Sequence, residues 1–362
     1  MTNIDLNEIN KQITDRSDVF YWQGDRKITL EVAGAIWSDK HAGIDNDELM
    51  LRANKILSDK IVSIDSIDSS FGNVNSVRYA TTESGKSIVV RCHPRGVKNG
   101  YFFAERGATD ATRRIGLPTY ETLAVHEIDD PGNVAFQIIT KMPGKNMKTY
   151  FMENPDSTDR LTIMAGKMMA RLHKIPVDGF GPFDNEIAKT GKLTGLHNTF
   201  ISAIRASLTF NLEQLQCFDV ISAKNADGLD RLFSANNHLL CADSAILVHN
   251  DFADHNLLTD GADITAILDW DECVGGTAVS DIACWSTFYD QKRTEKFLEG
   301  YFSVSDAIPD FQEKFNLLFL RYLIMKMTLR VRRYTWNKNE DFRKKIESGK
   351  VEMQELIKYF KL

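Results

Sequence analysis

The segment Val248-His249-Asn250-Asp251-Phe252-Ala253-Asp254-His255-Asn256-Leu257-Leu258, followed by Ile267-Leu268-Asp269-Trp270-Asp271, constrains this chain more than any other stretch. An apolar residue, His-x-Asp, four further residues, Asn and two leucines put an Asp and an Asn at opposite ends of one tight loop. The next apolar run, 264–268, then delivers a second carboxylate at a strand end. Taken singly, an Asp in a loop or an Asn before a strand is an ordinary turn residue. The joint spacing between two strand-like runs is much harder to obtain from turn chemistry, and it fits phosphoryl transfer. That reaction needs a carboxylate to orient or deprotonate the attacking hydroxyl, and oxygen ligands to hold Mg²⁺ against the transferring phosphate. Asp251 suits the first role; Asn256 and Asp269 suit the second.

The rest of the chain is organised around that loop. With 362 residues, 43% hydrophobic and 26% charged, it has ordinary globular composition and room for two domains or lobes. Residues 1–60 show helical apolar spacing at 28–37 and 49–56 and form an N-terminal extension. From residue 61 the pattern changes to short strands at 61–66, 74–82 and 87–92, with Gly85 supplying a hairpin turn between the last two. A helix at 101–115, ended by Gly116 and Pro118, and a strand at 134–141 complete a small sheet lobe spanning 61–142. Residues 143–362 are mainly helical, with stretches at 159–173, 200–215, 230–240, 281–302 and 311–336, a glycine-rich surface loop at 177–192 and a charged tail.

A net charge of -6 leaves no global basic field, so no nucleic-acid partner is expected. The polar start and the interruption of the apolar stretch 315–327 by Arg321 and Lys326 argue against a signal peptide and a membrane span. Five scattered cysteines without a Cys-x-x-Cys pair suggest neither zinc nor a redox site and point to a reducing cytoplasm. Nothing in the pattern indicates an oligomeric state.

If residues 143–362 hold the transferring phosphate, residues 61–142 should cradle the nucleotide. The loop Ser69-Ser70-Phe71-Gly72-Asn73 is rich in small polar residues, as a phosphate-covering turn would be, with Ser70 and Asn73 as candidate contacts. Arg91 is the strand cation placed to reach the phosphates, in a position that usually holds Lys, and Glu105 on the next helix is its carboxylate partner. The backbone from Thr140 to Met142, before Pro143-Gly144, is the candidate adenine hinge. The triplet Gly85-Lys86-Ser87 mimics the end of a Walker A loop. It leads into the β-branched run Ile88-Val89-Val90 instead of a helix, and Ala80 stands where the first glycine belongs.

Together, His249-x-Asp251-x-x-x-x-Asn256, Asp269-Trp270 and Arg171-Leu172-His173-Lys174-Ile175-Pro176 resemble the aminoglycoside phosphotransferase family over roughly residues 60–345. The resemblance implies an α+β, two-lobed protein-kinase-like fold with a small antiparallel sheet lobe and a larger, mainly helical lobe. It also implies transfer of the γ-phosphate of ATP, with GTP equally allowed, to a hydroxyl of a small molecule, an antibiotic or a metabolite. Asp271 and Glu272 would add acidic character for a cationic acceptor. The basic stretch Arg321, Lys326, Arg330, Arg332 and Arg333 departs from that expectation: facing the pocket it would favour a neutral or anionic acceptor, and solvated it would signify nothing. The competing expectation is a nucleotide-binding regulator with little turnover. Position 173 is expected to pack and hydrogen-bond rather than to catalyse.

Overall fold

The alternation of side chains along the strands of the first sheet sorts them into a core face and a site face. The computed structural model describes residues 6–37, 40–66, 74–98, 101–128, 134–335 and 338–362. Strands β1 (Ile61–Ser66), β2 (Ser76–Thr82), β3 (Ser87–Cys92), β4 (Thr122–His126) and β5 (Phe136–Thr140) form an antiparallel sheet in the order β1-β2-β3-β5-β4. Gly85, at φ +81°, makes the β2–β3 turn, a conformation that costs a glycine nothing. On β3 the side chains of Ile88, Val90 and Cys92 point to one face, where they pack with Leu49 and Ala53 of the helix Asn46–Ile56. Arg91, one residue out of phase, therefore points to the other face, in register with Gln137 of β5.

Against that second face lies the helix Phe102–Arg114, whose buried stripe of Ala104, Ala108 and Ala111 allows close approach to the larger lobe. Its end is marked by Gly116, and before the chain returns to the sheet as β4 it touches the second lobe, where the Ile267 amide donates to the Pro118 carbonyl at 2.9 Å.

The larger lobe is built on two apolar clusters and two small sheets. The strands Lys145–Asn146, Leu257–Thr259 and Ile264–Ile267 form one sheet; Ala245–Val248 and Val274–Gly276 lie inside the other. The helices Thr158–Leu172 and Gln291–Phe302 cross where Gly166 meets the Phe297 carbonyl and Gly300 meets that of Ile163. A side chain at either glycine would collide with backbone, so the crossing requires them.

Several elements differ from their expected form. Residues 177–192 are only partly a surface loop: 189–192 are exposed, but the strand Phe180–Phe183 is buried throughout and pairs with Val274 and Gly275. Local glycine content suggested a loop, but a strand buried on both faces needs no alternation to mark it. The stretch 200–215 is two helices, Phe200–Arg205 and Leu208–Cys217, broken where Ser207 takes φ 56°. Likewise 281–302 divides into Ala278–Ser286 and Gln291–Phe302, and the charged tail is the helix Glu340–Tyr359.

Residues before 60 pack into the molecule. Trp22 shares a cluster with Tyr101 and Phe102, and Arg332, on the helix Phe311–Tyr334, donates to the carbonyls of Arg26 and Ile28 at 2.9 Å each.

Candidate active site

The loop after the strand Ala245–Val248 is held by its backbone before any side chain acts. The carboxylate of Asp281, near the start of the helix Ala278–Ser286, accepts the amides of His249 and Asn250, each at 2.9 Å. Asn250 sits at φ 65° and Asp269 at φ 59°, in the left-handed region that non-glycine residues seldom occupy. The Asn250 conformation is secured by the Tyr322 hydroxyl, which donates to its Oδ1 at 2.6 Å, and by the Cys284 thiol on its carbonyl at 2.9 Å. His249 Nε2 meets the Leu268 carbonyl at 2.9 Å, and the Leu268 amide donates to the Asn256 carbonyl at 2.8 Å. These bonds tie the two halves of the motif together and aim Asp251, Asn256 and Asp269 into one region.

Asn256 Nδ2 donates to both the Oδ2 and the backbone carbonyl of Asp251, each at 2.9 Å, which leaves Asn256 Oδ1 as the side-chain atom available for ligation. Burial pushes the Asp251 carboxyl up, but a hydrogen bond and positive charge from His255, with Lys326 and His249 behind it, hold it below the usual carboxylate value. His255 Nε2 lies 3.5 Å from Asp251 Oδ2; burial lowers its pKa, and the pairing with Asp251 more than restores it, leaving it raised.

Across the cleft, Arg91 joins the lobes. Its NH2 donates to Asp269 Oδ1 at 2.7 Å, and its NH1 to Glu105 Oε2, to Gln137 Oε1 at 3.0 Å and to the Tyr120 hydroxyl at 3.4 Å. The Tyr120 hydroxyl in turn donates to Glu105 Oε2 at 2.9 Å. Glu105 is fully buried, so its charge is sustained by these partners. The planar fork of Arg spans two carboxylates at once, which a lysine could not do with the same geometry.

The remaining predicted residues are placed as follows. Ser70 and Asn73 lie outside the described residues. The Thr140 amide is taken by the Glu121 carbonyl at 2.9 Å, and its hydroxyl accepts the Glu121 amide at the same distance; Met142 is half-buried just beyond β5. Asp271 and Glu272 are both buried. Glu272 accepts the amides of Trp22 at 2.8 Å and Gln23 at 2.9 Å and lies 3.8 Å from Arg16, so its carboxylate secures the N-terminal segment. His173 packs as expected, its Nδ1 2.8 Å from the Tyr301 hydroxyl and its Nε2 3.2 Å from Asp281.

Sequence reading missed Tyr120, Gln137, Asp281 and Tyr322, because each acts through a partner far along the chain. The basic late helix is not a solvated face: Arg321, Lys326 and Arg332 are buried, with Arg321 donating to the carbonyls of Ile204 and Ala206 at 2.7 and 2.6 Å. Among the described residues no helix is long and apolar enough to cross a membrane.

Comparison with known proteins gives the family and the fold. The family model described as "Phosphotransferase enzyme family" (APH) matches residues 70–313. Hygromycin-B 4-O-kinase of Escherichia coli is 34% identical over 105 residues, a span of 29% of this chain and 29% of that protein. Among solved structures, a thermostable mutant of aminoglycoside phosphotransferase APH(4)-Ia in ternary complex with ADP and hygromycin B is similar with a TM-score of 0.62. The identity is 16%, over 87% of this chain and 98% of that one. A choline/ethanolamine kinase family protein from Mesorhizobium loti has a TM-score of 0.52 and 16% identity, covering 82% of this chain and 88% of that one. These structures share the fold of this chain. Because the family model runs from residue 70, through Arg91, Glu105 and the Asp251 loop, to the start of the late helix, the chain belongs to the APH phosphotransferase family.

Proposed function

We propose that this protein transfers the γ-phosphate of ATP to a hydroxyl of a small molecule, working in the cytoplasm. The observation that carries the reading is the bond from Arg91 to Asp269, which places a nucleotide-side cation and a candidate metal ligand 2.7 Å apart beside the Asp251–Asn256 pair. Residues 61–142 then act as the nucleotide lobe and 143–362 as the catalytic and acceptor lobe, with 1–60 an N-terminal segment that braces both.

In this reading Asp251 Oδ2 is held by Asn256, and Oδ1 accepts the incoming hydroxyl and orients it for in-line attack. A carboxylate kept below its usual pKa is an orienting acceptor first and a proton acceptor once the oxygen–phosphorus bond begins to form. Asn256 Oδ1 and the Asp269 carboxylate form an all-oxygen set of the kind a hard divalent cation prefers. They would hold Mg²⁺, which when bound neutralises charge on the phosphate oxygens. Arg91, fixed by Glu105, would grip the phosphates, and the backbone near Thr140 and Met142 would meet the base.

The APH(4)-Ia complex contains ADP and hygromycin B, and the curated relative is a hygromycin-B kinase, which supports a hydroxylated antibiotic or metabolite as acceptor class. The test is Mg²⁺-dependent ADP release across a panel of hydroxylated antibiotics and metabolites. Acceptor-stimulated release supports the reading; nucleotide binding with no stimulation by any acceptor would instead indicate a regulator.

A further inference from the structure

One ridge of the helix Phe311–Tyr334 faces the catalytic loop. Tyr322, Lys326 and Arg330 follow one another at one-turn spacing, and Arg333 extends the row. Tyr322 fixes the direction of the ridge, because its hydroxyl bonds the side chain of Asn250, the residue before Asp251. Lys326 stands one turn further on. It is 5% exposed, and its Nζ has no hydrogen-bond partner among the described residues. The ammonium lies 3.0 Å from the centre of the Phe288 ring; that ring packs at 5.7 Å against His255, which reaches Asp251.

The carboxylates nearby are already matched. Asp251 has Asn256 and His255; Glu272 has two amides and Arg16. The ammonium, with three donors, uses none of them and rests on an aromatic face that compensates only part of its lost hydration. Its neighbours along the ridge are engaged, Arg333 with Gln23 Oε1 at 2.6 Å and Arg330 with the Lys345 carbonyl at 3.5 Å. A buried cation with open donors beside the attacking position fits an anionic oxygen brought by a ligand. A polycation would add like charge at the same place.

We propose that Lys326 recognises the acceptor, and that the acceptor is a hydroxylated small molecule bearing an anionic group near the hydroxyl that is phosphorylated. This deepens the phosphotransfer reading and rests on it. Burial lowers the Lys326 pKa, with Arg330 adding to it, and Cys284, Asp251 and Glu272 offset only part of that, so an incoming anion would restore favour to the charged form.

The test uses the full-length protein with Mg²⁺ and ADP bound, titrated by calorimetry with gluconate, sorbitol and glucamine. These three share a polyol chain and differ in the charge of one end. Gluconate should bind about 10-fold or more tightly than glucamine, with sorbitol between, as expected for a charge-assisted hydrogen bond. Lys326→Met should remove that advantage while leaving Mg²⁺–ADP affinity unchanged, and Lys326→Arg should keep part of it. Glucamine binding as tightly as gluconate, no measurable gluconate binding, or a gluconate preference that survives Lys326→Met each overturns the proposal. If Lys326 serves only as a counter-charge to Asp251, the variant weakens all three ligands equally, which also overturns it. A wild-type protein that does not bind Mg²⁺–ADP refutes the phosphotransfer reading itself, a separate and visible failure.

Discussion

The two sides of the cleft handle charge in opposite ways. On the nucleotide side Arg91 is paired: Glu105, Asp269, Gln137 and Tyr120 accept from its NH1 and NH2, and the guanidinium is kept fully charged. On the acceptor side Lys326 is equally buried and has no hydrogen-bond partner among the described residues. The contrast teaches that burial alone does not say what a charge is for. A cation already paired with carboxylates is held in place to meet a common cofactor; an unpaired one is suited to a ligand that supplies the missing oxygen.

The comparison is broken most directly at the shared centre. Asp251→Ala and Asp269→Ala should each reduce acceptor-stimulated ADP release by roughly 10²- to 10³-fold or more, with circular dichroism unchanged. Turnover like that of the wild type in either variant removes the proposed roles. On the nucleotide side, Glu105→Ala leaves Arg91 without its buried partner and should lower unfolding free energy by about 3–5 kcal/mol, read from urea titration. A loss below about 1 kcal/mol would mean that Tyr120 and Gln137 suffice to hold Arg91.

A smaller effect is expected where the acceptor side meets the N-terminal segment. Glu272→Gln weakens the capture of the Trp22 and Gln23 amides and should destabilise the protein by about 1–3 kcal/mol, with faster hydrogen exchange confined to residues near 16–26. Uniform exchange would show that the segment is held elsewhere. The smallest effect is a shift in pH dependence. Because His255 helps to hold Asp251 below its usual pKa, His255→Ala should move the acid limb of the rate profile upward. The pair's contribution to stability is complete between the ordinary carboxylate value of 3.8 and the ordinary histidine value of 6.5; it is lost as pH rises through His255's raised pKa and as pH falls through Asp251's lowered one. An acid limb at the same pH in the variant would mean that His255 does not set the Asp251 pKa.

How much could be read beforehand depended on sequence separation. Asp251 and Asn256 are five residues apart, so loop geometry links them whatever the rest of the chain does. Arg91 and Glu105 were legible from strand and helix order, since β3 and the next helix must pack to close the small lobe. Tyr120, Gln137 and Asp281 were not legible, because nothing local marks a tyrosine, an amide or a helix-start Asp as a partner for a group in another element. The strand β4 and the strand Phe180–Phe183 escaped for a related reason, their burial being set by neighbours rather than by alternation along the segment.

By itself, the sequence determined the motif around Asp251, the cation and carboxylate of the sheet lobe, and hence the family. Those depend on short-range spacing and on the periodicity of single elements. Only the tertiary structure decided which charges are matched. Asp271 and Glu272 are buried, Glu272 against the N-terminal segment, and the late basic helix, which the sequence left open between a pocket-facing and a solvated face, buries Arg321, Lys326 and Arg332. The worth of a charge is set by its dielectric surroundings and its partners, and packing brings these from segments as distant as residues 22, 250 and 326.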